Sequence, residues 1–477
     1  MYVMVGTKLT PRGYGIAKSG LSDVEYSMIV KELTVQPANG IGMGCPRSFA
    51  CYKESSERLY VPKEYGLAKF GDPDTSTIGD GSEIQVDFQG TLRDVQKDAV
   101  DAYMRSTRQG LPGGGLLVLP CGFGKTVCAL YLISALKQKT LIIVHKDFLL
   151  KQWKERILQY LPDARVGIIK ASKYDVEHKD IVIASLQSLC MKEYTLSDFG
   201  VVIVDEVHHI AAEVFSKALH KINFMYSIGL SATPTRKDGL TKVIKWFMGK
   251  TVFKAAKRKD HLLVQPVTYK SDDPLYNTVH TMFDGKVNMS RMINSICDYE
   301  PRVEFVVDEL ERLLCKEPAR NTILLSDRRN HLDRLALQIR KQLPDARVGF
   351  YVGGMKEPEL QKTEDECNVI LATYSMAAEG MDIPKLDTLI LASPKGDVEQ
   401  AVGRIQRKKP EDRQYVPVVI DVVDTFSVFH RQYQRRVKHY QKMGYEIEQP
   451  SVVKCDSNNY NKGELDMDVL RRSLLRR

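Results

Sequence analysis

Leu116-Leu117-Val118-Leu119-Pro120-Cys121-Gly122-Phe123-Gly124-Lys125-Thr126 decides the fold of this chain. Its apolar start reads as a buried strand, its middle as a glycine-rich loop, and Val127 to Leu136 beyond it as an apolar, helix-compatible stretch. A strand–loop–helix turn aims several backbone N–H groups and the positive end of a helix at one point, where a triphosphate is held. Lys125 then reaches the β- and γ-phosphates, and Thr126 ligates Mg²⁺. Leu119 and Pro120 stand where the strict G-x-x-x-x-G-K-T pattern needs glycine, so the loop reads P-C-G-x-G-K-T instead. Pro120, Cys121, Gly122, Phe123 and Gly124 complete the expected cradle.

Downstream, the apolar run Val201–Val204 ends in Asp205-Glu206-Val207-His208-His209. Asp205 at a strand end is placed to support Mg²⁺, and Glu206 to orient and deprotonate an attacking water. An acidic pair after a strand is by itself a solvated loop; paired with the phosphate loop it implies nucleoside-triphosphate hydrolysis. Gly229-Leu230-Ser231-Ala232-Thr233-Pro234 follows another strand. The hydroxyls of Ser231 and Thr233 can hydrogen-bond toward the acidic pair, and His208 and His209 can join them. Taken alone, the same segment reads as a turn capped by Ser and Thr.

The chain also repeats itself. Thr140-Leu141-Ile142-Ile143-Val144 opens a segment that closes with Leu161-Pro162-Asp163-Ala164-Arg165-Val166-Gly167. Thr322-Ile323-Leu324-Leu325-Ser326 opens another that closes, at the same separation, with Leu343-Pro344-Asp345-Ala346-Arg347-Val348-Gly349. Between them, Leu149, Leu150, Trp153, Ile157 and Leu158 form one helical face, and Leu332, Leu335, Leu337 and Ile339 the other. Trp153 reads as core. Leu-Pro-Asp then stops each helix and releases a new strand. Strands alternating with helices imply an α/β protein with two parallel-sheet lobes covered on both faces. The reading assigns 1–85 to a small α+β N-terminal accessory domain with a hairpin around Glu54–Glu57. It assigns 86–270 to lobe 1, 271–445 to lobe 2, and 446–477 to a basic tail, with Lys270 to Asp284 as a polar link between the lobes.

Lobe 2 carries Ala378-Glu379-Gly380-Met381-Asp382-Ile383-Pro384 and Gln400-Ala401-Val402-Gly403-Arg404-Ile405-Gln406-Arg407. Arg404 and Arg407 share one face of a short helix. They can act as arginine fingers on the γ-phosphate, or belong to a solvated basic helix running into Lys408-Lys409.

The 477-residue chain, 43% apolar and 27% charged, has the composition of a soluble globular protein of more than one domain. No apolar run is long enough to span a bilayer, and the first residues lack a secretory apolar segment. An intracellular, soluble protein is therefore expected, with no membrane partner. Its nine cysteines form no C-x-x-C and no His/Cys cluster, which argues against a disulfide framework and structural zinc. A net charge of +9 points toward polyanions.

The ordered set P-C-G-x-G-K-T, D-E-V-H, S-A-T, E-G-x-D-x-P and Q-x-x-G-R-x-x-R, from Leu92 to Tyr445, resembles the superfamily 2 helicases. It is most similar to the branch holding the xeroderma pigmentosum B-type transcription/repair helicase, phage UvsW and the transcript-release helicases of large DNA viruses. The resemblance implies two tandem RecA-like lobes using ATP and Mg²⁺. It implies that Gln96 reads adenine, that Gly380 and Asp382 contact the nucleotide, and that Gln400, Arg404 and Arg407 serve catalysis. It implies that Ser231 and Thr233 couple hydrolysis to strand movement. Arg236-Lys237-Asp238 is similar to the R-E-D element of the transcription/repair helicase, with Lys237 in place of Glu.

Nucleic-acid contacts are implied at Lys146, Ser185, Gln187, Arg236, Ser326, Asp327 and Thr373, none equipped to read bases, so binding is expected to be sequence-tolerant. The branch also implies a DNA motor moving 3′ to 5′, duplex DNA gripped by residues 1–85, and partners from transcription or replication. The motor residues leave an RNA or RNA–DNA hybrid substrate open. A restriction-type nuclease would need another chain, because no D…E-x-K cluster is evident. A degenerate scaffold is disfavoured by the joint presence of Lys125, Asp205, Glu206, Arg404 and Arg407.

Overall fold

The computed structural model describes residues 6–38, 47–107, 112–120, 122–210, 212–222, 224–232, 236, 238–256, 261–379, 381 and 383–455. The chain forms two compact units, residues 1–256 and 257–477.

In the first unit a sheet is built from β1 (Gly113–Val118), β2 (Thr140–Val144), β3 (Val166–Lys170), β4 (Lys173–Tyr174), β5 (Ile181–Ser185), β6 (Val201–Val204), β7 (Tyr226–Ser231) and β8 (Thr251–Lys254). Their order is β4-β3-β5-β2-β6-β7-β1-β8. Every pairing is parallel except β3 with β4. Central strands are covered on both faces, so β2 and β6 are buried at every position and read as unbroken apolar runs. Toward the edge, β3 alternates between buried and more exposed residues. α1 (Lys125–Leu136) follows the glycine-rich loop and α2 (Asp147–Tyr160) follows β2. Leu149, Leu150, Trp153 and Ile157 of α2 are buried as the periodicity requires, whereas Leu158, assigned to the same face, is exposed. One residue past Ile157 lies about 100° around the helix, off the stripe.

The N-terminal elements belong to this first unit. A five-stranded sheet runs in the order Lys53–Glu54, Arg58–Val61, Gly13–Ala17, Thr7–Thr10, Thr75–Ser76. The expected hairpin is there, with Lys53 opposite Tyr60 and Glu54 opposite Leu59. Leu9, Tyr14, Ile16 and Leu59 of this sheet share one buried apolar cluster with Leu141, Val202 and Phe247 of the larger layer. Polar bonds seal the same junction. The buried Lys63 ammonium donates to the carbonyls of Met225 at 2.8 Å and Gly113 at 3.3 Å. His220, also buried, has its ring nitrogens against the carbonyls of Cys51 at 3.2 Å and Arg12 at 3.4 Å.

The second unit is a parallel sheet of β9 (Leu263–Ser271), β10 (Thr322–Ser326), β11 (Val348–Tyr351), β12 (Val369–Thr373), β13 (Thr388–Leu391), β14 (Val418–Asp424), β15 (Glu446–Ile447) and β16 (Ser451–Cys455). The order is β11-β12-β10-β13-β14-β9-β15, with β16 also paired to β9. β9 differs from the sequence reading, which ended lobe 1 at 270: Leu263 to Tyr269 pairs residue by residue with β14 of the second sheet. Likewise β15 and β16 extend that sheet where the sequence suggests a basic tail, and the tail beyond Cys455 lies outside the described residues. α3 (Met289–Asp298) and α4 (Arg329–Gln342) pack on it. Leu337 of α4, assigned to the buried face, is exposed for the same angular reason as Leu158. The repeat read from the sequence is real in three dimensions: β2-α2-β3 and β10-α4-β11 have the same layout.

Candidate active site

In a parallel sheet all strands end on one edge, and chemistry gathers where neighbouring strands release their loops. β6, β7 and β1 are adjacent, so the loops after Val204, Ser231 and Val118 meet. The backbone locks them: the Leu119 N–H donates to the Ser231 carbonyl at 2.9 Å. Gly122 (φ +81°) and Gly124 (φ +79°) take left-handed turns that favour glycine. A Cβ on Gly122 would meet nothing within 4 Å, so an anion can approach that backbone closely. A Cβ on Gly124 would collide with Gln96 Nε2, because Gln96 packs against the loop. The Gln96 amide donates to the Phe123 carbonyl at 3.0 Å, and its Oε1 accepts from the Arg93 N–H at 2.9 Å. Arg93, which the sequence did not single out, donates to the Gly122 carbonyl at 3.1 Å. Gln96 and Arg93 are thus built into the wall of the loop.

Lys125 opens α1 and its Nζ lies 3.1 Å from Glu206 Oε1 and 3.4 Å from the Leu119 carbonyl. Glu206 itself adopts φ 44°, ψ 46°, a left-handed conformation that costs a non-glycine residue about 1 kcal/mol or more. The turn is held by Asp205, whose Oδ1 accepts from the Glu206 N–H at 2.9 Å. The other Asp205 oxygen accepts from the Trp153 indole N–H at 2.8 Å, so Trp153 is core, as read, with a polar end on the acidic pair. A buried indole N–H needs an acceptor, the one signal in the sequence that pointed there. Burial first, then the Glu206 charge, push the Asp205 carboxyl up to about 6, while Lys125 and the Trp153 N–H oppose them. A buried carboxylate beside a second negative charge favours a cation, so Asp205, with Thr126 at the start of α1, could hold Mg²⁺.

His208 extends this chain of contacts. Its Nδ1 is 2.8 Å from Ser231 Oγ and 3.5 Å from Glu206 Oε2. Arg236 departs from its expected outward role: its guanidinium donates to the carbonyls of His208 (3.2 Å) and Ile210 and pairs with Asp238. With its side chain only 7% exposed, it braces the histidine turn. Cys121, Thr233, Gly380, Asp382 and the side chain of His209 lie outside the described residues.

The expected nucleic-acid residues fall at matching places in each unit. Val144 pairs with Ser185, so Lys146 and Gln187 leave neighbouring strand ends; Ser326 pairs with Thr373 in the second unit. Lys146 is the residue before α2, and Gln187 is exposed. Ser326 is turned inward, buried, with its Oγ 3.0 Å from His331 Nδ1 and accepting from the Arg328 N–H at 3.1 Å. Arg328, which the sequence does not single out, stands half-buried at the same strand end. Asp327 pairs with Lys395 at 2.8 Å. Gln400 lies on the short helix Glu399–Val402. The buried Arg404 donates to the carbonyls of Ala377 and Met381 of its own unit, while Arg407 is partly exposed.

These units match two known families in the expected order. Residues 89–236 match the family described as type III restriction enzyme, res subunit, and 305–409 the helicase conserved C-terminal domain. A protein of Acanthamoeba polyphaga mimivirus, provisionally named an ATP-dependent RNA helicase, is 34% identical over 471 residues, covering 96% of this chain and 89% of that one. The chain belongs to the superfamily 2 helicases. The helicase is also similar to the DNA 3′-5′ translocase XPB2 of Sulfurisphaera tokodaii, at 28% identity over 83% of this chain and 96% of that protein. Among solved structures, T4 UvsW is 17% identical, with 91% of this chain and 96% of that one covered, at a TM-score of 0.35. By its family, the helicase is an ATP-hydrolysing enzyme that acts on nucleic acid, folded as two parallel-sheet lobes. Among its described residues no helix is long and apolar enough to cross a membrane.

Proposed function

We propose that the helicase is a DNA motor that couples Mg²⁺-ATP hydrolysis to movement, 3′ to 5′, along one strand, serving transcription, repair or recombination. The observation that carries the reading is the meeting of Lys125, Asp205, Glu206 and the Ser231–His208 pair at the ends of β1, β6 and β7. Lys125 leaves Glu206 to hold the β- and γ-phosphates, and Glu206 is then released to orient water and take its proton. Bound Mg²⁺, held by Thr126 and Asp205, would neutralise phosphate charge. Proton and charge changes at Glu206 reach Ser231 through His208. The XPB2 relative, named a DNA translocase, supports DNA; the mimivirus relative, named for RNA, supports an RNA substrate as the second reading.

Arg407 takes the phosphate-facing role in this proposal. Arg404 braces the segment from Ala377 to Met381, because its bonds to those carbonyls already occupy it. The test compares ATPase stimulation by single-stranded, duplex and branched DNA and by RNA, in wild type and Glu206→Gln. DNA-selective stimulation that Glu206→Gln abolishes is expected. Stimulation by RNA alone would overturn the DNA assignment, and normal turnover in Glu206→Gln would overturn the site.

A further inference from the structure

The segment from Pro274 to Asn288, read from sequence up to Asp284 as a polar link, holds an ordered apolar display. Thr281 and Val287 form an antiparallel bridge. Around it the Met282 N–H donates to the Lys286 carbonyl at 2.7 Å, Gly285 to Met282 at 3.0 Å, and Asn288 to His280 at 2.8 Å. Gly285 supplies the left-handed turn at φ 76°. Val287 packs on the core of the second unit. At the tip stands Phe283, 115% exposed, beside Met282 and Val279, which are about half exposed at 46% and 48%.

Single exposed apolar residues are ordinary, but a benzene ring fixed at the tip of a hydrogen-bonded hairpin keeps its apolar surface in water with little freedom to fold it away. Its surroundings carry polar groups and charges of both signs. The exposed Lys286, paired at 2.9 Å with Asp284, flanks the tip. At the hairpin's root lies an open depression lined by His280, Arg291, Asn294, Ser295 and the carboxylate Asp298, among others. Asn288 caps α3 by accepting from the Arg291 N–H at 3.1 Å. α3 in turn is fastened by Arg328, which donates to Ser290 Oγ at 3.1 Å and to Asn294. Arg328 follows β10 by two residues, at the strand end where nucleic-acid contact is expected. The hairpin is thus tied to that strand end through one helix.

We propose that this hairpin is a stacking post for an unpaired nucleobase of the bound strand, with Phe283 under the base and Lys286, Arg291 and Arg328 toward its phosphates. The inference rests on the nucleic-acid reading of the preceding section. A flat aromatic ring accepts any base, in keeping with sequence-tolerant binding, whereas a stable protein interface needs about 800 Å² from each partner, far more than one ring at a turn.

The test uses the full chain. Binding of a fluorescently labelled single strand is measured at several salt concentrations for wild type, Phe283→Ala and Phe283→Trp. Stacking is worth about 1–3 kcal/mol per base, so Phe283→Ala should bind about 5- to 150-fold more weakly with an unchanged salt slope, since no phosphate contact is lost. Phe283→Trp should keep affinity, and its added emission should be quenched by the strand. Wild-type affinity in Phe283→Ala together with unquenched Phe283→Trp would overturn the inference. So would a Phe283→Ala variant that binds normally but loses self-association, which would make the hairpin a contact between copies. If wild type itself binds no nucleic acid, the reading beneath has failed instead.

Discussion

Replacing Trp153 with phenylalanine isolates one hydrogen bond at the acidic pair. The indole is 2% exposed and its N–H donates to Asp205 Oδ2 at 2.8 Å. Phenylalanine keeps most of the ring in α2's buried face and removes the donor. Hydrogen bonds to charged groups are worth about 1.5–3 kcal/mol, and this one favours the ionised carboxylate. If about half of that falls on the charged form alone, the Asp205 titration moves up by about one unit, since a unit is about 1.4 kcal/mol. Asp205 is already pushed up to about 6, and the variant's carboxyl titrates higher still. At pH 7 a larger share of the variant's Asp205 is then protonated than in wild type.

The profile of kcat/KM against pH reports the free enzyme, so its acid limb should move up by about one unit in Trp153→Phe. The Mg²⁺ concentration for half-maximal rate at pH 7 should rise, and both should return toward wild type at about pH 8. Loss of rate from a loosened core would not be cured by raising the pH, which separates the two causes. In a double-mutant cycle scored by thermal unfolding, Trp153→Phe with Asp205→Asn should lose less than the two single losses added together. An acid limb that stays in place in a folded Trp153→Phe protein would refute the reasoning.

Arg404→Ala should lower the unfolding temperature of the second unit, because it strips the carbonyls of Ala377 and Met381 of their buried donor, at about 1–3 kcal/mol each. Arg407→Ala should leave unfolding nearly unchanged and lower kcat by about 10³–10⁵; the reverse pattern in calorimetry and steady-state ATPase would exchange the two roles. His220, buried between Cys51 and Arg12 and beside Lys53, is pushed down to about 4 chiefly by burial. The unfolded chain therefore binds its proton first, and stability of the first unit should fall as pH drops from about 6.5 to about 4, by up to about 1.4 kcal/mol per unit. His220→Gln should flatten that slope in thermal unfolding followed across this range; an unaltered slope would place the acid sensitivity elsewhere.

Much of the fold was legible because parallel strands buried on both faces must be unbroken apolar runs. Val201–Val204 and Thr322–Ser326 could be bounded from letters alone, and both ends agree with the structure. β9 was not legible: it reads Leu-Val-Gln-Pro-Val-Thr-Tyr-Lys-Ser, with polar residues and a proline inside, and only its pairing with β14 assigns it to the second sheet. Parallel pairing joins residues far apart in sequence, and no local pattern records it. In the site, the structure brings together Lys125, Asp205 and Glu206, which the sequence ties to a loop and a strand end. Arg236, Arg404 and Ser326, which the resemblance places against a ligand, are turned onto groups of their own unit. A sequence shows that a donor exists, while burial decides which acceptor it serves.

That distinction reaches the N-terminal sheet. Residues 1–85 look separable by texture, yet Leu9, Tyr14 and Leu59 lie in one apolar cluster with Leu141 and Phe247, and Lys63 closes on Met225. Cutting the chain after residue 85 would open that cluster to water and leave the Met225 and Gly113 carbonyls without their buried donor. Such losses are large against the roughly 5–15 kcal/mol that hold a domain. A truncated protein that failed to bind DNA would therefore report a damaged first unit and say nothing of a DNA grip. Charge reversal at exposed lysines of the N-terminal elements, such as Lys31 and Lys53, leaves the cluster intact. Its effect on the salt dependence of binding measures phosphate contact directly, because each phosphate neutralised contributes about one to the slope.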